Sequence, residues 1–227
     1  SSRRLQAAHL AYGDGVLVVP TNAGVVVGID LLSHSLVWAY SYRDSASPIQ
    51  DEAMQGVMIR GRFRGMPMAS ATPAQEYWRL SAPIISRGKV VFTAHDAGHV
   101  HCLNLRDGRS LWTVKREDDD LYLAGVFGSR VVIVGRSYVR ALNLDDGPRD
   151  TWGTPVWKIA TGGLPSGQGV ASDDIYYLPL QKTGDGPQNG PGILAINVAA
   201  GRKISVATKR NQEQPGNLLY ADGDMIS

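Results

Sequence analysis

The sequence predicts an all-β propeller built from four-stranded blades. Three observations predict it: a fixed spacing of apolar strand, acid or amide, and tryptophan that recurs; a period of about 40–50 residues, the range of propeller blades; and turn residues at the joints between short apolar runs. The first copy of the repeat reads Gly15-Val16-Leu17-Val18-Val19, then Gly28-Ile29-Asp30-Leu31, then Leu36-Val37-Trp38. The second reads Gly88-Lys89-Val90-Val91-Phe92, then Cys102-Leu103-Asn104-Leu105, then Ser110-Leu111-Trp112. In both, fourteen residues separate the first valine from the Asp or Asn, and eight more lead to the Trp.

Later copies follow the same plan with looser spacing. The third has Val131–Gly135, Asn143 and Trp157; the fourth has Ile175–Pro179, Asn197 and, at the tryptophan position, Ile204. A fifth begins at Asn217 and continues through Met225. The steps Val90 to Val131, Val131 to Ile175 and Ile175 to Met225 are 41, 44 and 50 residues. These copies predict blades at about residues 10–40, 82–115, 121–158 and 168–206, with the start of another at 216–227 and a long insertion at 41–80. Asp14-Gly15, Asp107-Gly108, Asp146-Gly147 and Asp222-Gly223 supply the positive backbone angle of tight turns. The near-continuous apolar runs suit strands covered on both faces, as stacked blades require. Helical periodicity is weak everywhere, with Ser45–Ala74 the one stretch where a helix fits at all.

The totals narrow the function. With 43% apolar residues in 227, a sizeable core is available, and a net charge of +2 gives no general field for nucleic acid. The longest apolar runs are strand-length, well short of the roughly 20 residues of a membrane span. No export-signal pattern opens the segment, so any such signal is expected outside it. Cys102 is the single cysteine, which rules out an internal disulfide. Three of the five tryptophans (Trp38, Trp112, Trp157) share one repeat position, which points to a repeated structural job.

The run Cys102-Leu103-Asn104-Leu105-Arg106-Asp107-Gly108-Arg109-Ser110-Leu111-Trp112 resembles the tryptophan-docking motif of the pyrroloquinoline-quinone (PQQ)-type propeller repeat. That family includes quinoprotein alcohol dehydrogenases and BamB-type assembly lipoproteins. The resemblance implies that Trp38, Trp112 and Trp157 plug the gaps between blades, and that Asp30, Asn104, Asn143 and Asn197 brace the turns that follow them. It also implies a ring of about six to eight blades, so this segment is expected to be part of a longer propeller, closed by further blades or a second chain. An extracytoplasmic place, in the periplasm or cell envelope, follows from the resemblance alone.

Several constellations compete for chemistry. A PQQ site of the dehydrogenase kind uses adjacent cysteines, a calcium held by acids and amides, an aspartate base and a tryptophan floor. One cysteine argues against it, and no cofactor is expected. Asp118-Asp119-Asp120 offers oxygen ligands for a hard cation, but consecutive residues of a strand alternate in direction, so a solvated loop is the expectation. His95, His99 and His101 are the metal candidates: a hairpin would set His95 opposite His99, and period two puts His99 and His101 on one face. Histidine as a simple replacement for tyrosine is the plainer expectation, and no metal is assigned. The insertion between Met54 and Pro73 carries Arg60, Arg62, Arg64, Phe63 and four of the five methionines, with no acid. Flexible thioethers beside arginines suit an adaptable binding surface, so these three arginines are the candidate partner contacts.

Two functions remain. One is a non-enzymatic scaffold or ligand-sensing propeller that binds protein or an envelope polymer. The other is a fragment of a PQQ-dependent dehydrogenase whose catalytic residues lie outside the segment.

Overall fold

The computed structural model describes residues 9–21, 23–42, 81–94, 98–147, 154–184, 189–208, 213–221 and 224–226. Residues 43–80 of the insertion, with Arg60, Arg62 and Arg64, lie outside the described residues, as do His95 and the stretch where a helix fits the sequence, while Ser41 belongs to the last strand of the first sheet. Every regular element among the described residues is a strand.

Eighteen strands form four four-stranded antiparallel sheets and one two-stranded sheet. The first sheet is β1 (Ala11–Gly13), β2 (Val16–Pro20), β3 (Val25–Asp30) and β4 (Ser35–Ser41); the second is β5 (Ile84–Ser86), β6 (Lys89–Thr93), β7 (His99–Asn104) and β8 (Ser110–Lys115). The third is β9 (Asp120–Phe127), β10 (Arg130–Gly135), β11 (Tyr138–Asn143) and β12 (Trp157–Ala160). The fourth is β13 (Val170–Ser172), β14 (Ile175–Leu180), β15 (Gly192–Asn197) and β16 (Arg202–Thr208); β17 (Leu219–Ala221) pairs with β18 (Asp224–Ile226). Each sheet is a meander in which every strand pairs with its sequence neighbour. The first strands of successive sheets touch, β1 with β5, β5 with β9 and β13 with β17, which is the arrangement of propeller blades around an axis.

Local chemistry makes the hairpins. Asp14 and Gly15 take φ of 48° and 82°, and Arg87 and Gly88 take 52° and 70°. Two successive positive angles match the twist of the flanking strands. Between the sheets lie three apolar cores. Val16, Val18 and Val26 of the first sheet meet Val90, Phe92 and Leu103 of the second. On the opposite face of the second sheet, Val91, Val100 and Cys102 meet Leu123, Val131, Ile133 and Leu142 of the third. Val132, Val134, Val139 and Ala141 of the third sheet then meet Tyr176, Leu178, Leu194 and Ile196 of the fourth. Strands in the middle of the stack are therefore buried on both faces, as β10 is, while all seven residues of β16 are exposed.

Candidate functional site

The junctions between sheets share one construction. The Trp38 indole Nε1 donates to the Leu105 carbonyl at 2.8 Å, Trp112 donates to Leu144 at 3.0 Å, and Trp157 donates to Val198 at 3.0 Å. Each acceptor directly follows the Asn that ends the third strand of the next sheet. Those Asn side chains hold the turn: Asn104 Oδ1 accepts from Arg106 N–H at 2.8 Å, Asn143 Oδ1 from Asp145 N–H at 2.9 Å, and Asn197 Oδ1 from Ala200 N–H at 2.7 Å. Asp30 does the same for Leu32 and Ser33, both at 2.8 Å, and these donors, Ser33 first, hold its carboxyl below the usual range.

A glycine receives each indole. Gly108, Gly147 and Gly201 stand four residues after their Asn with φ of 67°, 69° and 63°. A Cβ at Gly108 would come within 2.6 Å of Trp38, and one at Gly147 within 2.6 Å of Trp112; at Gly201 it would meet Trp157. The receiving glycine is a partner of the tryptophan that sequence reasoning left unassigned, although its fixed offset from Asn was visible there.

The acidic run is the first correction. In place of a solvated loop, Asp120 opens β9 and is buried, and its carboxylate takes the Arg140 guanidinium in a fork at 3.0 and 2.5 Å. Asp120 also accepts from Glu117 N–H at 2.9 Å, while Asp119 accepts from the Ser137 and Tyr138 amides. Glu117 lies 3.6 Å from Arg140 and pairs with Lys158. The alternation argument was right that the three acids do not converge. It missed that a buried arginine on β11 would draw one of them inward, because Arg140 sits in an apolar run that names no partner.

The histidines are divided. His99 is partly exposed on β7, whereas His101, two residues on, has no exposed surface. The His101 ring stacks on Phe92 of β6, with centroids 5.0 Å apart and planes 13° apart, and the Tyr40 and Tyr42 rings of the first sheet approach it at 5.7 and 6.3 Å. Its Nδ1 lies 3.3 Å from the Tyr40 hydroxyl and 3.4 Å from that of Thr113. The two imidazole centroids are 6.1 Å apart, yet no group of three His, Cys, Asp or Glu side chains able to hold a metal occurs among the described residues. Burial, and then the neighbouring His99, push the His101 imidazole down to about 4; burial also lowers His99, followed by Lys115 and Arg116.

Cys102 lies on the other face of β7, fully buried in the second core, and burial pushes its thiol up to about 12. A thiol raised in this way is held in its neutral form at ordinary pH.

At the turn end of the first junction an open cleft of about 660 Å³ is lined by Asp14, Arg87, Gly88 and Arg106. The second junction closes the equivalent position with ion pairs from Arg87 and Lys89 to Asp145, at 3.1 and 2.6 Å.

Four-stranded meanders joined by repeated tryptophan plugs define a propeller of the PQQ-like repeat class. A family model described as "Outer membrane protein assembly factor BamB" matches residues 1–224, and the chain belongs to that family. Among curated proteins none matches the chain. Solved structures with the same fold include BamB from Moraxella catarrhalis, 17% identical over 88% of this chain and 48% of that one, with a TM-score of 0.52. The quinohemoprotein alcohol dehydrogenase of Comamonas testosteroni is 14% identical over 89% and 35%, also at 0.52. A europium-containing methanol dehydrogenase is 14% identical over 87% and 41%, at 0.54. The chain spans about half the length of that BamB and less of the dehydrogenases.

Proposed function

We propose that this chain is a non-enzymatic propeller that binds protein or an envelope polymer, as scaffold or ligand sensor, at the cell envelope. The family match over residues 1–224 carries the reading. The residues of the segment support it: its one cysteine is buried with its thiol pushed up to about 12, so this segment supplies no adjacent pair for a quinone. The outer-membrane assembly factor that names the family supports an extracytoplasmic location. Specificity falls to the part freest of the blade plan, the insertion with Arg60, Arg62 and Arg64, because blades are constrained by neighbours on both faces.

The test is retrieval of partners from the source cell envelope by wild type and by Arg60→Ala/Arg62→Ala/Arg64→Ala, with melting curves beside it. The expected result is weaker recovery at a stability within about 0.5 kcal/mol of wild type, as for surface changes. Unchanged recovery sinks the assignment of the insertion. The alternative, a piece of a PQQ-dependent dehydrogenase, draws on the dehydrogenase neighbours. Titration of the chain with PQQ, with and without calcium, separates the two: saturable stoichiometric binding would favour the dehydrogenase.

A further inference from the structure

We propose that His101 is an acid-sensitive latch between the first and second sheets, closed while its imidazole is neutral and opened by protonation. The geometry carries this. His101 projects from β7 into the first core and has no exposed surface. Aromatic rings surround it: Phe92 stacked at 5.0 Å, and Tyr40 and Tyr42 reaching across from the first sheet. One nitrogen, Nδ1, has the Tyr40 and Thr113 hydroxyls beside it; the other, Nε2, is buried with no hydrogen-bond partner. A neutral imidazole can leave Nε2 as a bare acceptor. An imidazolium carries a proton on both nitrogens, and the second N–H would be buried with no acceptor among the described residues beside it, a cost that grows steeply for a charged donor.

Burial comes first and His99 second in holding the ring neutral. Facing His101 are Tyr40 and Tyr42 from the end of the first sheet, Phe92 from β6, Thr113 from β8 and His99 from β7 itself. The charged groups beside His99 are Lys115 and Arg116, both cationic. Asp120 acts on Arg116 and is itself held by Arg140. Burial, and after it the neighbouring His99, disfavours a positive ring while the junction is closed.

Opening has a defined place. Tyr42 closes the first sheet: its N–H donates to Gly24 O and its hydroxyl accepts from Gly24 N–H, both at 3.0 Å. It is also the last residue described before the stretch 43–80, which makes up nearly all of the insertion. Loosening the His101 pocket therefore frees the point from which the insertion departs. The sign follows from linkage. The closed junction holds the imidazole at about 4, below the ordinary 6.5, so the open form binds more protons between those values. The neutral imidazole's contribution to closure is full above about pH 6.5 and is lost progressively as pH falls towards 4. Between pH 7.5 and pH 5 the opening equilibrium should rise about 30-fold, from the ratio of the two titration terms.

The experiment is hydrogen exchange of the β4 and β7 amides at pH 7.5 and pH 5, corrected for intrinsic exchange, with wild type and His101→Phe. Phe keeps the stack on Phe92 and removes the titrating group. Wild type should show opening that rises on the order of 30-fold at the acid pH, while His101→Phe stays flat within about 3-fold. Equal pH dependence in both proteins overturns the latch. NMR titration of the wild-type imidazole gives a readout independent of any variant: a midpoint well below 6 is expected, and one near 6.5 overturns the proposal. A His99→Asn variant that abolishes the effect while His101→Phe retains it would move the switch to His99 and overturn it as stated.

Discussion

Replacing Gly147 by alanine tests whether an indole seated on a glycine is what joins the sheets. Gly147 and Gly88 have nearly the same backbone angle, φ 69° and 70°, so an alanine at either position meets the same left-handed penalty. That penalty is about 1–2 kcal/mol. The surroundings differ. A Cβ at Gly88 meets nothing within 4 Å, whereas one at Gly147 would sit 2.6 Å from Trp112 Cγ and 2.9 Å from its Cβ. Those ring atoms belong to a side chain only 9% exposed and tied through Nε1 to Leu144 O, so they have little room to retreat. Complete loss of the indole, as in Trp112→Ala, should cost about 3–5 kcal/mol. Partial displacement with a strained or broken hydrogen bond should take roughly half of that. Gly147→Ala is therefore expected to exceed Gly88→Ala by about 2 kcal/mol in chemical denaturation at unchanged m-value. A double mutant sharpens the test: with Trp112 already alanine, Gly147→Ala should cost only the backbone term. Equal losses at the two glycines, or strict additivity with Trp112→Ala, would refute the socket.

Two further expectations concern groups that the fold buries. Arg140→Met leaves the Asp120 carboxylate buried without its guanidinium and should cost about 3–5 kcal/mol, while Arg140→Met/Asp120→Leu should restore most of the loss; a double mutant no better than the single would show that the pair does not act as a unit. Cys102 should fail to react with a disulfide reagent at pH 8 in the native state and react fully in denaturant, since burial holds its thiol up at about 12. Native reaction at the rate of a free thiol would contradict its position in the core.

What was legible in the sequence was whatever repeats. The valine–Asn–tryptophan spacing marks three sheets because each copy performs the same packing, and a repeated residue announces its task by recurring. Asp120–Arg140 and the ring cage around His101 do not repeat, and their partners lie on other strands. His101 meets Tyr40 across 61 residues, and Arg140 meets Asp120 across 20. A local pattern carries no trace of such contacts. Period two put His99 and His101 on one face without separating them, but of these two only His101 sits opposite Phe92 in the β6–β7 register, where the first sheet covers it. Period two gives the side of a strand. The neighbouring sheet decides which residue on that side is sealed.

The same reasoning explains where the repeat departs from itself. In the first sheet the residue four places after Asp30 is His34, and it holds φ 53°, the angle at which the other three turns carry glycine. The turn has thus kept its shape, with Asp30 bracing it, and lost its socket. An indole packed as Trp38 packs on Gly108 would collide with the His34 Cβ, since a Cβ at the equivalent glycine comes within 2.6 Å of the ring. In the fourth sheet the donor side has changed instead: Ser205 pairs with Ala195 as Trp112 pairs with Cys102 and Trp157 with Ala141, so a serine stands at the docking position, and Ile204, which the sequence pattern put there, sits one residue earlier at the bulge and is 50% exposed. A serine has neither the indole N–H to reach a carbonyl of the next sheet nor the flat ring that requires a glycine beneath it. Trp38, Trp112 and Trp157 and their glycines thus form one rigid run of three junctions, and the outer turn of the first sheet and the docking position of the fourth must pack by other means. Asp30 shows why turn and socket separate so readily: the Asx bonds are made within the turn itself, whereas the socket exists only for a ring supplied by another sheet.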